Sequence, residues 1–245
     1  MQPAPVFVQG RLSPRGLEML RRFFSAFFAV CAKVTINGRE NVPGSGGFVL
    51  SANHFSRFDV PLIFASLPGH RWVVFAADKY YHRPFFRWLV ESVDCLWVKR
   101  GETSHQTVMA AIQALRQGKV LGLAPEGTRS KTGTLQLGKP GAAFIAMTAG
   151  VPIVPAAITG TEQLAAALKR MKRVQLTMTF GSPFTIDAPP LGEQMNRKRL
   201  LEESTTEIMC RIAAMLPPPQ RGVYAEHPRV RELAATPQDI GGTYP

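Results

Sequence analysis

The chain has 245 residues, and its 29 lysines and arginines exceed its 17 aspartates and glutamates, giving a formal net charge of +12. Apolar residues make up 45% and charged residues 19% of the sequence, proportions that argue against a disordered chain. No uncharged apolar run reaches the roughly 18 residues of a membrane-spanning helix, so an ordinary transmembrane segment is not expected.

The first predicted element is an N-terminal helix that follows an irregular lead-in over residues 1–16. Arg21 and Arg22 precede an uncharged run over residues 23–32 that contains four phenylalanines. This run is too short to cross a bilayer, and a poor cleavage pattern argues against a signal peptide. A core helix and an interfacial helix both remain open, the latter with phenylalanines at the acyl boundary. We expect residues 1–33 to form a membrane-interface element.

Residues 34–216 alternate short apolar runs with helical stretches and predict the main domain. Strands are predicted over residues 48–51, 72–76, 95–98, 120–123, 152–157 and 174–180. Helices are predicted over residues 104–117 with Thr103 as the N-cap, over 141–149 and over 194–216. Because most strands lack strict alternation, we expect an α/β fold with a mixed, largely parallel central sheet flanked by helices. The proline-rich tail, residues 217–245, is expected to be loosely ordered and to add little to the core.

The first chemically distinctive segment is Asn53 to Asp59 (NHFSRFD), directly after a predicted strand. Five helical residues turn through about 500°, so His54 and Asp59 would not share a face of one regular helix. We therefore place His54 in the turn after the strand and Asp59 near the start of the next helix, where Pro61 fits the first turn. The carboxylate can then hold one imidazole nitrogen and leave the other as a base.

A second cluster, residues 124–130 (APEGTRS), also follows a predicted strand. Catalytic groups of open α/β sheets gather at the carboxyl ends of strands, so this cluster is expected at the same edge as the first. Glu126 and Thr128 can bind hydroxyls, and Arg129 can bind a phosphate through two parallel hydrogen bonds. The alternative is a solvated turn in which Gly127 supplies the bend.

Two further segments have ordinary structural explanations when each is taken alone. Residues 98–101 (VKRG) end a strand in two cations, which is common for solvated strand ends. Residues 151–155 (VPIVP) bracket an apolar pair with prolines, as an edge strand or a wall would.

Taken in chain order, the four segments resemble the glycerolipid acyltransferase family typified by 1-acyl-glycerol-3-phosphate acyltransferase. Residues 53–59 match its His-x4-Asp motif, and residues 125–130 (PEGTRS) match its third block. Residues 98–100 and 151–155 match the second and fourth blocks. The resemblance covers roughly residues 34–185, and the joint presence of the first and third blocks makes it specific.

The resemblance implies transfer of a fatty acyl group from acyl-CoA or acyl carrier protein to the free hydroxyl of a lysolipid. No acyl-enzyme, cofactor or metal is implied. By position, His54 is the implied general base and Asp59 its orienting partner. The residues implied in acceptor binding are Ser56, Lys99, Arg100, Glu126, Gly127, Thr128 and Arg129.

The expected acceptor is 1-acyl-glycerol-3-phosphate, which would give phosphatidic acid in phospholipid biosynthesis. The second block departs from the family pattern, because Lys99 stands where an acidic residue commonly precedes the arginine. An extra cation there strengthens phosphate binding or indicates another headgroup, so a lyso-ornithine lipid or a larger lysophospholipid remains an alternative acceptor. A catalytically silent membrane-lipid-binding protein is the alternative of a different class.

The chemistry of such a substrate predicts where the protein works. Burying one methylene gains about 0.8 kcal/mol, so extracting a 16-carbon chain into water costs roughly 12 kcal/mol. We therefore expect a peripheral or monotopic protein on the anionic, cytoplasmic face of the inner membrane. The aromatic segment over residues 80–90 is either a second membrane contact or a core helix.

The remaining counts exclude other classes of protein. The chain has three cysteines, Cys31, Cys95 and Cys210. Their odd number argues against a disulfide framework, and the absence of Cys-x-x-Cys spacing argues against a structural zinc site. The lysines and arginines are scattered, and no nucleic-acid-reading motif accompanies them, so no nucleic-acid partner is expected.

Overall fold

The computed structural model describes residues 5–99, 104–187 and 194–235. Within these ranges, eight strands join into one sheet that has helices on both faces. The strands are β1 (Phe7–Val8), β2 (Ala32–Asn37), β3 (Phe48–Ala52), β4 (Trp72–Ala77), β5 (Asp94–Val98), β6 (Val120–Leu123), β7 (Ile153–Thr159) and β8 (Val174–Phe180). The helices are α1 (Pro14–Cys31), α2 (Asp59–Ser66), α3 (Pro84–Val90), α4 (His105–Arg116), α5 (Gly141–Ala149), α6 (Thr161–Lys169), α7 (Gln194–Met215) and α8 (Pro228–Ala235).

The sheet is mixed and largely parallel, as predicted. Its strand order is β1-β5-β4-β6-β3-β7-β8-β2. The five strands from β5 to β7 in that order are parallel to one another. At one side β8 runs antiparallel to β7 and is itself parallel to β2, while at the other side the short β1 is antiparallel to β5. The carboxyl ends of the five parallel strands therefore lie at one edge, with the first residues of β8 and β2.

The sheet divides the core into two hydrophobic clusters, one on each face. Successive side chains of a strand point to opposite faces, so Phe48 and Leu50 of β3 enter one cluster and Val49 the other. The first cluster packs under α1, α2 and α6, and the second under α4, α5 and α7. Burial on both faces explains why the predicted strands are almost continuously apolar.

Most predicted elements are confirmed. The six predicted strands and the helices predicted over residues 104–117, 141–149 and 194–216 match observed elements to within two residues at either end. Helix α1 begins at Pro14, three residues inside the predicted irregular lead-in. The N-cap of α4 is Ser104, whose hydroxyl accepts a hydrogen bond from the backbone of Thr107. The prediction of Thr103 as this cap is therefore wrong by one residue, and Thr103 itself lies outside the described residues. Strands β1 and β2 and helices α6 and α8 were not predicted.

Helix α1 is apolar on two opposite sides. One side packs on the core through Phe24, Phe27 and the fully buried Phe28. The other side exposes 72% of Met19, 64% of Phe23 and 74% of Val30. These three residues share one face because positions four and seven apart on a helix lie nearly in line. The helix thus combines a core face with an exposed apolar stripe, which we call the α1 stripe.

None of the described helices is both long enough and apolar enough to cross a membrane. Helix α3, in the aromatic segment, contains no fully buried residue. Its Phe85 and Trp88 are exposed, whereas Tyr80 and Tyr81 just before it pack against the Trp97 region of β5. The core-helix interpretation of this segment is therefore wrong for the helix itself.

The tail corrects another expectation. Residues 217–235 do not lie loosely on the surface, since Tyr224 and Val230 are buried within the second hydrophobic cluster. Helix α8 packs on α7, where Arg229 forms an ion pair with Glu207 at 2.8 Å. These contacts make the described part of the tail a component of the core.

Candidate active site

The candidate site lies at the sheet edge where the parallel strands end. His54 follows β3, Glu126 follows β6, and Thr161 follows β7. Because β6, β3 and β7 are neighbours in the sheet, three chain segments that are distant in sequence meet there. This is the edge at which open α/β sheets carry their functional groups.

His54 and Asp59 contact each other as the spacing predicts. The Nδ1 atom of His54 lies 2.9 Å from Oδ2 of Asp59. Asp59 is the first residue of α2, and Pro61 occupies the first turn of that helix. The Asp59 side chain is 2% exposed and that of His54 is 28% exposed. The imidazole thus sits at the surface of the site with a buried carboxylate behind it.

Asp59 is held by four hydrogen bonds, which use both of its oxygens. Besides His54, the backbone N–H groups of Phe55 and Ser56 each donate to Oδ2 at 2.8 Å. The hydroxyl of Thr161 donates to Oδ1 at 2.5 Å, and Thr161 is fully buried. Together these donors fix the plane in which the carboxylate meets the imidazole.

Asn53 fixes the turn that presents His54. Its side-chain amide donates to the backbone oxygen of Ile158 at 2.8 Å and accepts from the backbone nitrogen of Ile158 at 2.7 Å. Ile158 lies in β7, so this pair of bonds extends the pairing of β3 and β7 beyond the last strand residue. Asn53 is 1% exposed, and the backbone before His54 is therefore rigidly placed.

The loop after β6 approaches His54 from the other side. The backbone nitrogen of Ser130 donates to the backbone oxygen of His54 at 2.8 Å. Gly127 has a φ of 70°, a left-handed conformation that glycine adopts without strain. The loop is therefore a structured neighbour of His54.

Glu126 is a buried carboxyl within this loop. It is 2% exposed, and its Oε2 accepts a hydrogen bond from the backbone of Gln136 at 3.0 Å. Its Oε1 is buried without a hydrogen-bond partner among the described residues. Burial raises the pKa of Glu126, and the bond from Gln136 and the proximity of His54 offset this only in part. Such a carboxyl has unused capacity to bind a hydroxyl or another donor.

Lys139 is a neighbour of this loop that sequence reasoning did not find. Its backbone nitrogen donates to the backbone oxygen of Pro125 at 2.7 Å. A Cβ placed on Gly127 would lie 3.2 Å from Lys139 Nζ, so the lysine side chain lies directly against the glycine. In the sequence, Lys139 is marked only by the glycine before it, Gly138. A glycine followed by a lysine is too common a pair to identify a site residue.

The other predicted site residues fall into three groups. Ser56 supports the turn, because it donates a backbone bond to Asp59 and its hydroxyl accepts from the backbone of Phe58 at 3.3 Å. Thr128 and the exposed Arg129 lie in the loop after β6. Lys99 is exposed at the end of β5, at the same sheet edge, and Arg100 lies outside the described residues.

No group of three histidine, cysteine, aspartate or glutamate side chains suited to a metal ion occurs in the part of the chain that the structure describes. Asp59 occupies Nδ1 of His54, which leaves Nε2 as the nitrogen that can take a proton from a bound hydroxyl.

Comparisons with known proteins identify the family of the chain. A family model described as acyltransferase matches residues 33–159. A 1-acyl-sn-glycerol-3-phosphate acyltransferase of Borreliella burgdorferi is 28% identical over 53% of this chain and 52% of its own length. A probable enzyme of the same name from Mycoplasma pneumoniae is 32% identical over 61% of this chain and 58% of its own length. The matches thus span a little over half of each of these two relatives.

One solved structure resembles the fold. The crystal structure titled as the 1-acyl-sn-glycerophosphate acyltransferase PlsC from Thermotoga maritima superposes with a TM-score of 0.58. The match covers 78% of this chain and 79% of the other at 24% sequence identity. At that identity the likeness is one of fold: a mixed sheet flanked by helices.

Proposed function

Because this chain belongs to the acyltransferase family, we propose that it transfers a fatty acyl group from a thioester to the free hydroxyl of 1-acyl-glycerol-3-phosphate, producing phosphatidate. The observation that carries the proposal is the 2.9 Å contact between His54 Nδ1 and a buried, fully hydrogen-bonded Asp59. The donor is acyl-CoA or acyl carrier protein. Relatives named for this reaction support the choice of acceptor.

In the proposed reaction His54 is a general base. Nε2 takes the proton of the acceptor hydroxyl as its oxygen attacks the thioester carbonyl, and the new C–O bond forms. When the tetrahedral intermediate collapses, the C–S bond breaks and the sulfur leaves as a thiolate, which takes the proton back from the imidazolium. Asp59 holds the imidazole in one tautomer and stabilises its positive charge throughout. No covalent acyl-enzyme is required.

The acceptor fits beside the loop after β6. We assign the buried Oε1 of Glu126 to a hydroxyl of the glycerol, since that oxygen is without a described partner. Gly127 and Thr128 would shape this part of the pocket. The acceptor phosphate would face the cations Arg129, Lys99 and Lys139 at the same edge. Arg100, which lies outside the described residues, stays a candidate for this role from the sequence alone. An arginine can hold a phosphate with two bonds, whereas each lysine acts as a point charge.

We also propose that the protein acts as a peripheral protein on the anionic, cytoplasmic face of the inner membrane. The α1 stripe supports this, because contiguous exposed apolar residues are uncommon on a protein that contacts only water. A net charge of +12 favours an anionic surface.

The test of the acceptor is an assay with a panel of lysolipids and acyl-CoA. Lysophosphatidate should be acylated fastest, ahead of lyso-ornithine lipid and of lysophospholipids with larger headgroups. If another acceptor is used and lysophosphatidate is not, the reaction class stands and the acceptor is wrong. If the protein binds lipid but acylates none of the panel, it is the catalytically silent alternative.

Replacing the base tests the mechanism. His54→Ala should lower kcat by roughly 10²- to 10⁴-fold, the usual contribution of general-base catalysis. Because His54 is partly exposed, we expect the melting temperature to change little. His70→Ala is the matched control: that histidine bonds only to backbone oxygens of Pro43 and Pro68 away from the site, so kcat should be retained. Wild-type turnover by His54→Ala would refute the mechanism.

A further inference from the structure

The last residue of α6 and the four-residue connection from α6 to β8 form an exposed segment, Lys169 to Arg173 (KRMKR), which we call the basic turn. Four of the five are cations, and all five are exposed. The chain carries no aspartate or glutamate between Glu162 and Asp187. The turn is therefore a concentrated positive patch without neutralising carboxylates in its own segment.

Met171 at the centre of the basic turn has an unusual conformation. Its φ is 51°, and it is the one non-glycine residue with positive φ among the described residues. Lys172 N donates to Ala167 O at 2.9 Å and Met171 N to Leu168 O at 3.2 Å. This pattern is the Schellman motif, whose left-handed position is normally glycine. The backbone of a methionine is strained in this conformation, and strained backbone positions cluster at functional sites.

The Met171 side chain gains nothing from packing in the folded chain. It is 94% exposed, the largest exposed fraction of any large apolar residue described. Methionine is a flexible apolar side chain that adapts to irregular or fluid surroundings. Met171 is exposed and has two cations on each side of it in the sequence. An apolar side chain between cations is suited to a membrane interface, where the apolar group enters the acyl region and the cations contact headgroups.

The basic turn is attached to the end of α1. Arg173 Nη2 donates to the backbone oxygens of Ala29 and Ala32, at 2.8 and 2.7 Å. Val30, the last residue of the α1 stripe, lies between these two residues in the chain and is 74% exposed. The turn therefore lies against the end of α1 at which the stripe ends, and this turn and helix end form one local surface.

That surface lies at the edge of the sheet that carries His54. Strand β8 runs antiparallel to β7, so its first residue, Val174, stands at the edge where β7 ends. Strand β7 is parallel to β3, which ends just before His54. Strands are about 4.8 Å apart, so β8 is displaced from β3 by roughly 10 Å. A membrane that touches the turn would lie beside the candidate active site.

We propose that the basic turn is a docking contact for an anionic lipid leaflet. Met171 enters the acyl boundary, and Lys169, Arg170 and Lys172 bind headgroup phosphates, while Arg173 holds the turn to α1. The proposal deepens the proposed function, because it names the surface that brings the His54 edge to the lipid. Charge complementarity selects the occupant: each cation near an anionic leaflet strengthens binding, and a neutral leaflet offers no such gain.

The test compares two triple variants that lose the same charge. The turn variant carries Lys169→Gln, Arg170→Gln and Lys172→Gln, which remove three of the turn's four cations and keep Arg173, the residue bonded to α1. Lys198→Gln, Arg199→Gln and Arg231→Gln remove three cations of α7 and α8 whose side chains are 85%, 80% and 66% exposed. Binding to vesicles of phosphatidylglycerol is measured by sedimentation, with phosphatidylcholine vesicles for comparison. The turn variant should bind anionic vesicles about tenfold or more weakly, and the control near the wild-type level.

Met171→Gly tests the apolar tip separately. Glycine removes the side chain and suits the left-handed backbone, so the melting temperature should stay level or rise. Vesicle affinity should nevertheless fall severalfold. The proposal is overturned if Met171→Gly and the turn variant both bind anionic vesicles with wild-type affinity. It is also overturned if the control variant loses as much vesicle affinity as the turn variant.

An activity assay separates failure of this proposal from failure of the proposed function. With a short-chain lysophosphatidate that is monomeric in water, the turn variants should acylate at the wild-type rate, and with the acceptor in anionic vesicles they should be slower. If the wild type acylates nothing but the vesicle difference persists, the function is wrong and the docking contact stands. If the turn variant loses DNA binding and keeps vesicle binding, the contact is for nucleic acid and the proposal fails.

Discussion

Thr161 is the residue that most clearly extends the His54–Asp59 pair. Its hydroxyl donates to the Asp59 oxygen that His54 does not use, and both residues are buried. A carboxylate held at one oxygen can rotate about its terminal bond, whereas one held at both oxygens cannot. Thr161 therefore fixes the orientation in which Asp59 meets the imidazole.

Thr161→Val, which replaces the hydroxyl with a methyl group of similar size, tests this role. We expect kcat to fall roughly tenfold, the effect of one hydrogen bond, while KM stays unchanged. Thr161→Ser restores the hydroxyl and should recover most of the rate. Nitrogen-15 NMR of the histidines provides a readout independent of turnover: His54 should lose its uniform protonation at Nδ1 in the valine variant only. A valine variant with normal kcat and normal spectra would show that Thr161 only fills space.

At the residue scale, sequence alone indicated the partners that are close in the chain. His54 and Asp59 are five residues apart, and the turn between them could be deduced from helix geometry and Pro61. Thr161 and Lys139 are brought to the site by strand pairing and by a loop, respectively. Neither stands in a pattern that distinguishes it from other threonines and lysines, so only the three-dimensional arrangement identifies them.

At the scale of elements, the tail supports the loop that carries Glu126. The backbone nitrogen of Leu135 donates to Gln220 at 3.0 Å, and Gly138 donates to the hydroxyl of Tyr224 at 3.1 Å. These bonds fix both ends of the stretch whose Gln136 holds Glu126. The tail and the candidate acceptor site are therefore mechanically connected.

A pair of valines in the tail tests its contribution to stability. Val230 in α8 is 0% exposed, and Val223 is 61% exposed. Val230→Ala should lower the free energy of unfolding by roughly 1 to 3 kcal/mol, because it removes buried methyl groups and leaves a cavity. Val223→Ala should change it by less than about 0.5 kcal/mol. Equal, small effects in denaturant titrations would indicate that the tail is dispensable for the core.

The elements that sequence analysis missed lack the usual boundary signals. Strand β2 begins at Ala32, directly after α1 ends at Cys31, with no glycine or proline between them. Helix α6 has nine residues and no side-chain cap. The burial of the tail depends on a few residues among many charges, which periodicity cannot detect. The longer strands were predictable because burial on both faces leaves an apolar run between polar turns.

At the scale of the whole molecule, α1 couples the core to an outer surface. Its Phe24, Phe27 and Phe28 stabilise the fold, while Met19 and Phe23 face outward. Membrane binding and folding should therefore be separable by substitutions on opposite sides of one helix.

The double variant Met19→Ser and Phe23→Ser should weaken binding to anionic vesicles by tenfold or more, since each side chain buried in lipid contributes about 1.5 kcal/mol or more. Its melting temperature should match the wild type, because both side chains are exposed. Met109→Ser with Val223→Ser is the control, as these residues are 45% and 61% exposed on other elements. If the Met19→Ser, Phe23→Ser variant floats with anionic vesicles as well as the wild type does, α1 is not part of the proposed membrane contact.

The direction of β8 determines where the connection between β7 and β8 lies relative to His54. Since β8 returns antiparallel beside β7, the intervening chain both leaves and re-enters the sheet at the His54 edge. A parallel β8 would have begun at the opposite edge, about 23 Å away for a strand of seven residues. If the basic turn docks on a lipid leaflet as proposed, changes in the length or charge of this one connection would alter the strength of that contact while the histidine, its aspartate and the strands beneath them stay as they are.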